Sequence, residues 1–227
     1  RNATPSSSVQ KVEAAQLGQF RHQDMASLLL LHSNVFVKNY GPGSLSTFSI
    51  RGSSAAQTQV LWNGININNS ATGLSDLSTS LVAFFDQVSI EYGSSPGSQA
   101  MAGCLNLQQT APTFYKQQQT VLALGYKSLR NRSMLVQAKR SGGRLANDCR
   151  IIVADAKNTY GYFNPERQQQ ETLTHAHTQQ LAFLNDLSLR LRQRNVLSLH
   201  NWMQLQDREI PAATFEAHSE KEEQMQT

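Results

Sequence analysis

Residues 41–64 read GPGSLSTFSIRGSSAAQTQVLWNG, and no other stretch constrains the fold as tightly. They join a Gly-Pro-Gly turn, a short strand ending in Arg51-Gly52, a polar loop and a second strand ending in Trp62-Asn63-Gly64. Gly and Asn tolerate positive φ, so each reversal falls where the backbone can make it cheaply. A long helix cannot form here. The segment specifies a compact unit of short elements, and Asn63-Gly64 specifies a hairpin of the type I′ class with residues 65–68 as its return strand.

The rest of the first half has the same grammar. Asp24 is placed to cap a helix over Met25-Ala26-Ser27-Leu28-Leu29-Leu30-Leu31. Strands are expected at residues 35–38, 48–51, 59–62 and 87–92, and at Cys104-Leu105-Asn106-Leu107, with a small-residue loop before the last. Asp76 is expected to start another short helix. Together these make a small mixed α+β domain.

From about residue 113 the writing changes to successive antiparallel strands. At 181–192, Leu181, Phe183, Leu187, Leu189 and Leu191 share one face, with Asn185 the exception. Asp186, Ser188, Arg190 and Arg192 share the other. A strand at 196–206 alternates likewise, and earlier strands are expected at 120–127, 133–140 and 145–156. Ser141-Gly142-Gly143-Arg144 and Gln193-Arg194-Asn195 are tight turns, while 157–179 is a long polar connection. In an up-and-down meander this puts two short turns on one side and a long loop on the other, an asymmetry of outer-membrane barrels. The short 128–132 connection departs from it. Alternation alone fits a soluble sandwich equally well.

Composition narrows the function classes. The net charge is +4, but Lys and Arg are scattered, which argues against nucleic-acid binding. No apolar run is long enough for a transmembrane helix, yet barrel strands need only ~10 residues of alternating polarity. Cys104 and Cys149 lie far apart and read as isolated thiols rather than a disulfide. Gly93-Ser94-Ser95-Pro96-Gly97 lacks the Gly-Lys-Ser/Thr ending of a phosphate-binding loop. His175 and His177 have no third metal ligand nearby and read as surface histidines. No nucleophile elbow or carboxylate pair is present, so no enzyme, cofactor or metal site is expected.

The ordered motifs resemble one family, the TonB-dependent outer-membrane receptors. Their plug domain is matched in order by residues 35–38, the turn at 41–43, Ser49-Ile50-Arg51-Gly52 and Val60-Leu61-Trp62-Asn63-Gly64. Asp76-Leu77-Ser78, Val88-Ser89-Ile90-Glu91-Tyr92-Gly93 and Ala102-Gly103-Cys104-Leu105-Asn106-Leu107 complete the match. Leu-Trp-Asn-Gly, with residues 158–164 and 202–211, is similar to cobalamin-type receptors of the Bacteroidetes lineage. The turn at Gln99-Ala100-Met101-Ala102-Gly103 has fewer glycines than the family's, and Val9-Gln10-Lys11-Val12 is a poor match to a TonB box.

The resemblance implies an N-terminal extension (1–19), a plug domain (20–112) and about the first five strands of a large transmembrane β-barrel (113–227). A barrel around a plug has about 22 strands, so the chain reads as an N-terminal fragment. It implies an outer-membrane importer of a scarce nutrient, such as cobalamin or an iron, haem or siderophore complex, driven through the TonB energy-coupling protein. Outer-membrane lipid and a surface lipoprotein would be further partners. Arg51, Gly52, Asn63, Gly64 and Gly93 are expected as structural plug-motif positions, Arg51 through a salt bridge. Ser44, Asn66, Asn68 and Asn69, on plug loops, are the candidate ligand contacts; the same asparagines could equally cap turns. The alternative is a soluble extracellular β-rich ligand-binding module. A passive porin would need no plug.

Overall fold

The structure, a computed structural model, describes residues 8–41, 43–93, 102–165, 167–192, 195–210 and 220–226. It divides into two compact units, Arg1–Thr110 and Ala111–Thr227.

In the first unit, β1 (Ser8–Lys11) leads into α1 (Ala14–Gln19) and α2 (Met25–His32). Asp24 caps α2 as the sequence indicates, its carboxylate accepting from Ser27 N at 2.7 Å. Met25, Ala26, Leu28 and Leu29 form the buried side of α2. Ser33 ends it, its hydroxyl donating to Leu29 O at 2.6 Å. The chain continues through the hairpin β2 (Phe36–Asn39) and β3 (Ser46–Ser49), then β4 (Thr58–Trp62), β5 (Ile65–Asn66), β6 (Gln87–Tyr92) and β7 (Gly103–Gln108). One sheet has the order β1-β6-β7-β4-β5, with β4 and β7 parallel and the other pairs antiparallel. Leu28 and Leu29 of α2, Ile50, Val60, Leu77, Phe84, Ile90 and Leu105 are fully buried. Each contributes about 1.5–3 kcal/mol of burial.

Gly103 is held by its surroundings. Its φ is +142°, and a Cβ there would lie 2.2 Å from the Glu91 carbonyl oxygen. Only glycine lets β7 approach β6 this closely.

Three expectations need correction. Residues 8–19, read as an extension, supply β1 and α1; Val9-Gln10-Lys11 pairs with β6 as an edge strand. Main-chain pairing makes that strand, and its polar alternation is too short to show in sequence. Asp76 starts no helix. Its carboxylate accepts from Ser78 N at 2.9 Å and Ser46 N at 3.0 Å, an Asx turn that also ties down β3. The return strand after Asn63-Gly64 stops at Asn66. Arg51 and Gly52 lie beyond β3 in a turn, with φ of 52° and 74°.

The second unit is a meander of β8 (Gln117–Lys127), β9 (Asn131–Gly142), β10 (Leu145–Ala156), β13 (Thr178–Arg192), β14 (Asn195–Ile210) and β15 (Glu220–Gln226). All neighbours are antiparallel, in the order β15-β14-β13-β10-β9-β8. A separate hairpin, β11 (Gly161–Asn164) and β12 (Gln169–Thr172), rises from the long connection. The meander has six strands where five were expected. Glu220-Lys221-Glu222-Glu223 lacks apolar alternation, yet its backbone pairs with β14. Gly143, at φ +61°, makes the β9–β10 turn, whereas Gln193-Arg194 and residues 94–101 lie outside the described residues.

Register confirms the two-faced pattern. Leu181 faces Leu205, Phe183 faces Met203, Leu187 faces Leu199 and Leu189 faces Leu197 across β13 and β14. These side chains are exposed or half-exposed. The opposite face carries Asp148, Arg150, Ser188, Gln204, Gln206 and Arg208, all buried. That face also buries Leu135, Ile152, Leu184 and Trp202, but a sheet that leaves most of its leucines exposed while burying ion-paired charges is inverted relative to a water-soluble sandwich.

Candidate functional site

The candidate ligand contacts fall on two loops that Asp76 fastens together. The first joins β2 to β3. Asn39 Oδ1 accepts from Gly41 N at 2.7 Å, and Ser44 N donates to Gly41 O at 3.1 Å. Ser44 is half-buried there. The second runs from β5 to Leu77, whose N donates to Ser46 O at 2.8 Å. With the Asp76–Ser46 bond, this sets the base of one loop against the base of the other.

The asparagines of the second loop divide by role. Asn68 is committed to the backbone: its Oδ1 accepts from Val60 N at 2.8 Å, and its Nδ2 donates to Thr58 O at 2.9 Å and Gly73 O at 2.8 Å. Its side chain continues the pairing of β4 where β5 stops. Asn66 Oδ1 accepts from Asn68 N at 3.0 Å. Asn69 Oδ1 accepts from Ala71 N at 2.8 Å and Thr72 N at 3.2 Å. The turn bonds of Asn66 and Asn69 use only their oxygens, and both residues are exposed. Their amide nitrogens are hydrogen-bond donors on the loop surface.

The motif residues build the turns. Asn63 (φ 48°) and Gly64 (φ 84°) close β4 onto β5 with Trp62 opposite Ile65. Asn63 Oδ1 also accepts from Gln109 N at 3.2 Å, and Gln109 Oε1 accepts from Trp62 Nε1 at 3.0 Å and Asn63 Nδ2 at 2.5 Å. Gln109 Nε2 donates to Phe84 O at 3.0 Å. Sequence reasoning missed this clasp because Gln109 lies 25 to 47 residues from its partners. Gly93, at φ +98°, ends β6, its N donating to Ala102 O at 3.0 Å. Arg51 is exposed, and its guanidinium carbon lies 5.8 Å from the centroid of the Tyr92 ring. At that distance the contact is a cation–π one. Tyr92 OH in turn donates to Gln10 Oε1 at 2.6 Å, tying β6 to β1.

In the second unit the polar face is a charge network. Arg150 Nη2 lies 2.7 Å from Asp148 Oδ2, Gln137 Nε2 donates to both Asp148 oxygens at 3.0 and 3.2 Å, and Lys139 Nζ lies 3.8 Å away. Asp148 pairs across the sheet with Asp186, whose Oδ1 lies 2.5 Å from His200 Nδ1. Paired and hydrogen-bonded, such charges can be buried without large penalty.

The β11–β12 hairpin gathers a second polar group. Glu171 accepts from Asn164 Nδ2 at 2.9 Å, Gln169 Nε2 at 3.0 Å and Tyr162 OH at 3.0 Å, and Arg167 Nη1 lies 3.4 Å away. Led by the bond from Asn164, these hold its carboxyl far below the usual range, at about 2. Tyr160 and Tyr162 sit beside it with ring centroids 6.3 Å apart. His177 Nε2 lies 2.7 Å from Asp155 Oδ1, and among the described residues no cluster of three or more His, Cys, Asp or Glu is arranged to hold a metal ion. Cys104 and Cys149 are both free thiols.

Residues 1–104 match the family model of the TonB-dependent receptor plug domain. No curated protein matches the sequence. Solved structures do match the fold. One is the ferripyoverdine receptor of the outer membrane of Pseudomonas aeruginosa (18% identity, TM-score 0.68, 91% of this chain and 26% of that one). Others are the copper transporter OprC (15%, 0.65, 91% and 32%) and the siderophore receptor PiuA from Acinetobacter baumannii (14%, 0.64, 90% and 27%). The chain thus spans roughly a quarter to a third of the receptors it resembles. These matches support an outer-membrane location. Residues 1–104 thus match a TonB-dependent receptor plug domain, and the antiparallel strands that follow share their fold with the solved outer-membrane receptors.

Proposed function

We propose that these residues belong to an active importer, in which plug loops and extracellular loops capture a small ligand and TonB-relayed energy moves part of the plug. The observation that carries this is the combination in one chain: a plug-type unit, then a meander whose exposed face is apolar. Tyr115 and Tyr126, both strongly exposed, bracket the outward residues of β8 as interfacial aromatics do. Exposed Asn66 and Asn69 with Ser44 are the plug's ligand contacts; Asn68, Asp76 and Gln109 shape the loops that present them. The ligand class is a scarce nutrient complex of the cobalamin, haem or siderophore kind, and a surface lipoprotein is a further partner. Import is binding and population shift, with no bond chemistry.

Uptake of labelled cobalamin, haem and ferric siderophores is the test, compared in cells with and without the full-length gene and with TonB intact or deleted. One ligand is expected to lose uptake in both deletions. Uptake that persists without TonB would overturn the proposal.

A further inference from the structure

The loop from Asn66 to Leu74 closes on its own main chain. Asn69 N donates to Leu74 O at 2.8 Å, and Gly73 N donates back to Asn69 O at 2.8 Å. Asn68 Nδ2 holds Gly73 O from the β4 side. Three exposed side chains on this loop, Asn66, Asn69 and Thr72, are used in the same way. Asn66 and Asn69 give their oxygens to main-chain N–H groups of the turn, and Thr72 Oγ1 accepts from Leu74 N at 3.3 Å. Only the oxygen of a carboxamide can accept from an N–H, so these bonds fix which end of each asparagine turns inward. The hydrogens left over are those of two Nδ2 amides and one hydroxyl, all donors.

The loop is also without charge. Arg51 is the only Asp, Glu, Lys, Arg or His between Lys38 and Asp76. Each of these three is engaged elsewhere. Lys38 Nζ lies 4.6 Å from the centroid of the Tyr40 ring, Arg51 packs on Tyr92, and Asp76 turns its carboxylate to Ser46 N and Ser78 N. A surface that donates hydrogen bonds and carries no charge suits neutral carbonyl oxygens. An anion set against it gives up water without meeting a cation, a cost that neutral donors only partly offset. We propose that the 66–74 loop selects a ligand whose plug-facing side is uncharged and rich in carbonyl acceptors, such as peripheral carboxamides or hydroxamates, over polyanionic catecholate chelates and carboxylate-bearing haem. The inference rests on the reading of this loop as a ligand contact and narrows that reading to a chemical class. Main-chain closure holds the donors in place before the ligand arrives, so little ordering opposes binding.

The test uses purified full-length protein in nanodiscs and four probes: cyanocobalamin and a neutral ferric trishydroxamate against a ferric tris-catecholate and haem. Calorimetry is expected to show at least one neutral probe binding at least tenfold more tightly than either anionic one. Asn66→Asp with Asn69→Asp keeps the acceptors the turn uses and exchanges the outward donors for negative charge. It is expected to weaken the neutral probe at least tenfold, with hydrogen exchange over residues 58–74 unchanged. Thr72→Lys supplies the missing cation and is expected to tighten the catecholate at least threefold. Tighter binding of the catecholate or haem to the native protein, binding of neither neutral probe, a neutral probe indifferent to the double variant, or no gain from the lysine would each overturn the inference. Uptake independent of TonB, with this binding pattern intact, would instead overturn the importer reading alone.

Discussion

Asn68→Ala is the perturbation whose size the structure states most directly. The side chain makes three hydrogen bonds of 2.8–2.9 Å, to Val60 N, Thr58 O and Gly73 O. Each such bond contributes about 0.5–1.5 kcal/mol net. Val60 and Thr58 are 0% and 1% exposed, so water cannot readily take the vacated positions and the cost falls toward the upper end. A loss of about 3 kcal/mol follows, roughly a hundredfold in the local opening equilibrium. Hydrogen exchange on the full-length protein reads this as about hundredfold faster exchange over residues 58–74, with the meander strands unchanged. Asn66→Ala removes one bond at an exposed site and is expected to change exchange less than tenfold. Asn68→Asp keeps the acceptor for Val60 N but turns a carboxylate toward two carbonyls, so it should destabilise comparably. If Asn68→Ala weakened ligand binding with exchange unaltered, Asn68 would be a contact rather than a scaffold and the reasoning would fail.

Gly103→Ala pushes a Cβ to 2.2 Å from the Glu91 carbonyl; about 3 kcal/mol or more of plug stability should be lost. Gly52→Ala, in open space but at φ +74°, should cost only about 1–2 kcal/mol by the same thermal unfolding measurement. Glu171, with its pKa lowered from 4.5 to about 2 in the folded hairpin, stabilises that hairpin fully above about pH 4.5. As pH falls from 4.5 toward 2, exchange protection of residues 161–172 should be lost after correction for intrinsic rates, and Glu171→Gln should remove the pH dependence. Arg150→Ala strips the closest partner from Asp148 and should cost about 3 kcal/mol, less than an isolated buried charge because Gln137 and Lys139 remain. The paired replacement Arg150→Met with Asp148→Leu should lose less, read as the temperature of heat-modifiable migration.

The sequence was most legible where local chemistry decides structure. Asp24 capping α2, Asn63-Gly64 closing a hairpin and the alternation along β13 and β14 each need only neighbouring residues. It was less legible where distant backbone decides. The β1 edge strand exists because β6 offers its free side, and β15 because β14 does; neither has the apolar alternation that marks a strand. Asp76 carries an N-cap residue type, yet its carboxylate serves a turn and reaches Ser46, thirty residues away. Among the candidate ligand residues, type and place were readable, but the division of labour was not. Asn66, Asn68 and Asn69 are chemically identical, and only the geometry shows that Asn68 is consumed by β4.

The central claim is that the meander is a barrel wall with lipid on its apolar side. Nitroxide labels at each position from 181 to 189 of the full-length protein in liposomes, read by collision with oxygen and with a water-soluble nickel chelate, test it directly. Odd positions should be accessible to oxygen and shielded from nickel, and even positions should show the reverse or neither. Nickel access at Phe183 and Leu187 would place that face in water and contradict the claim.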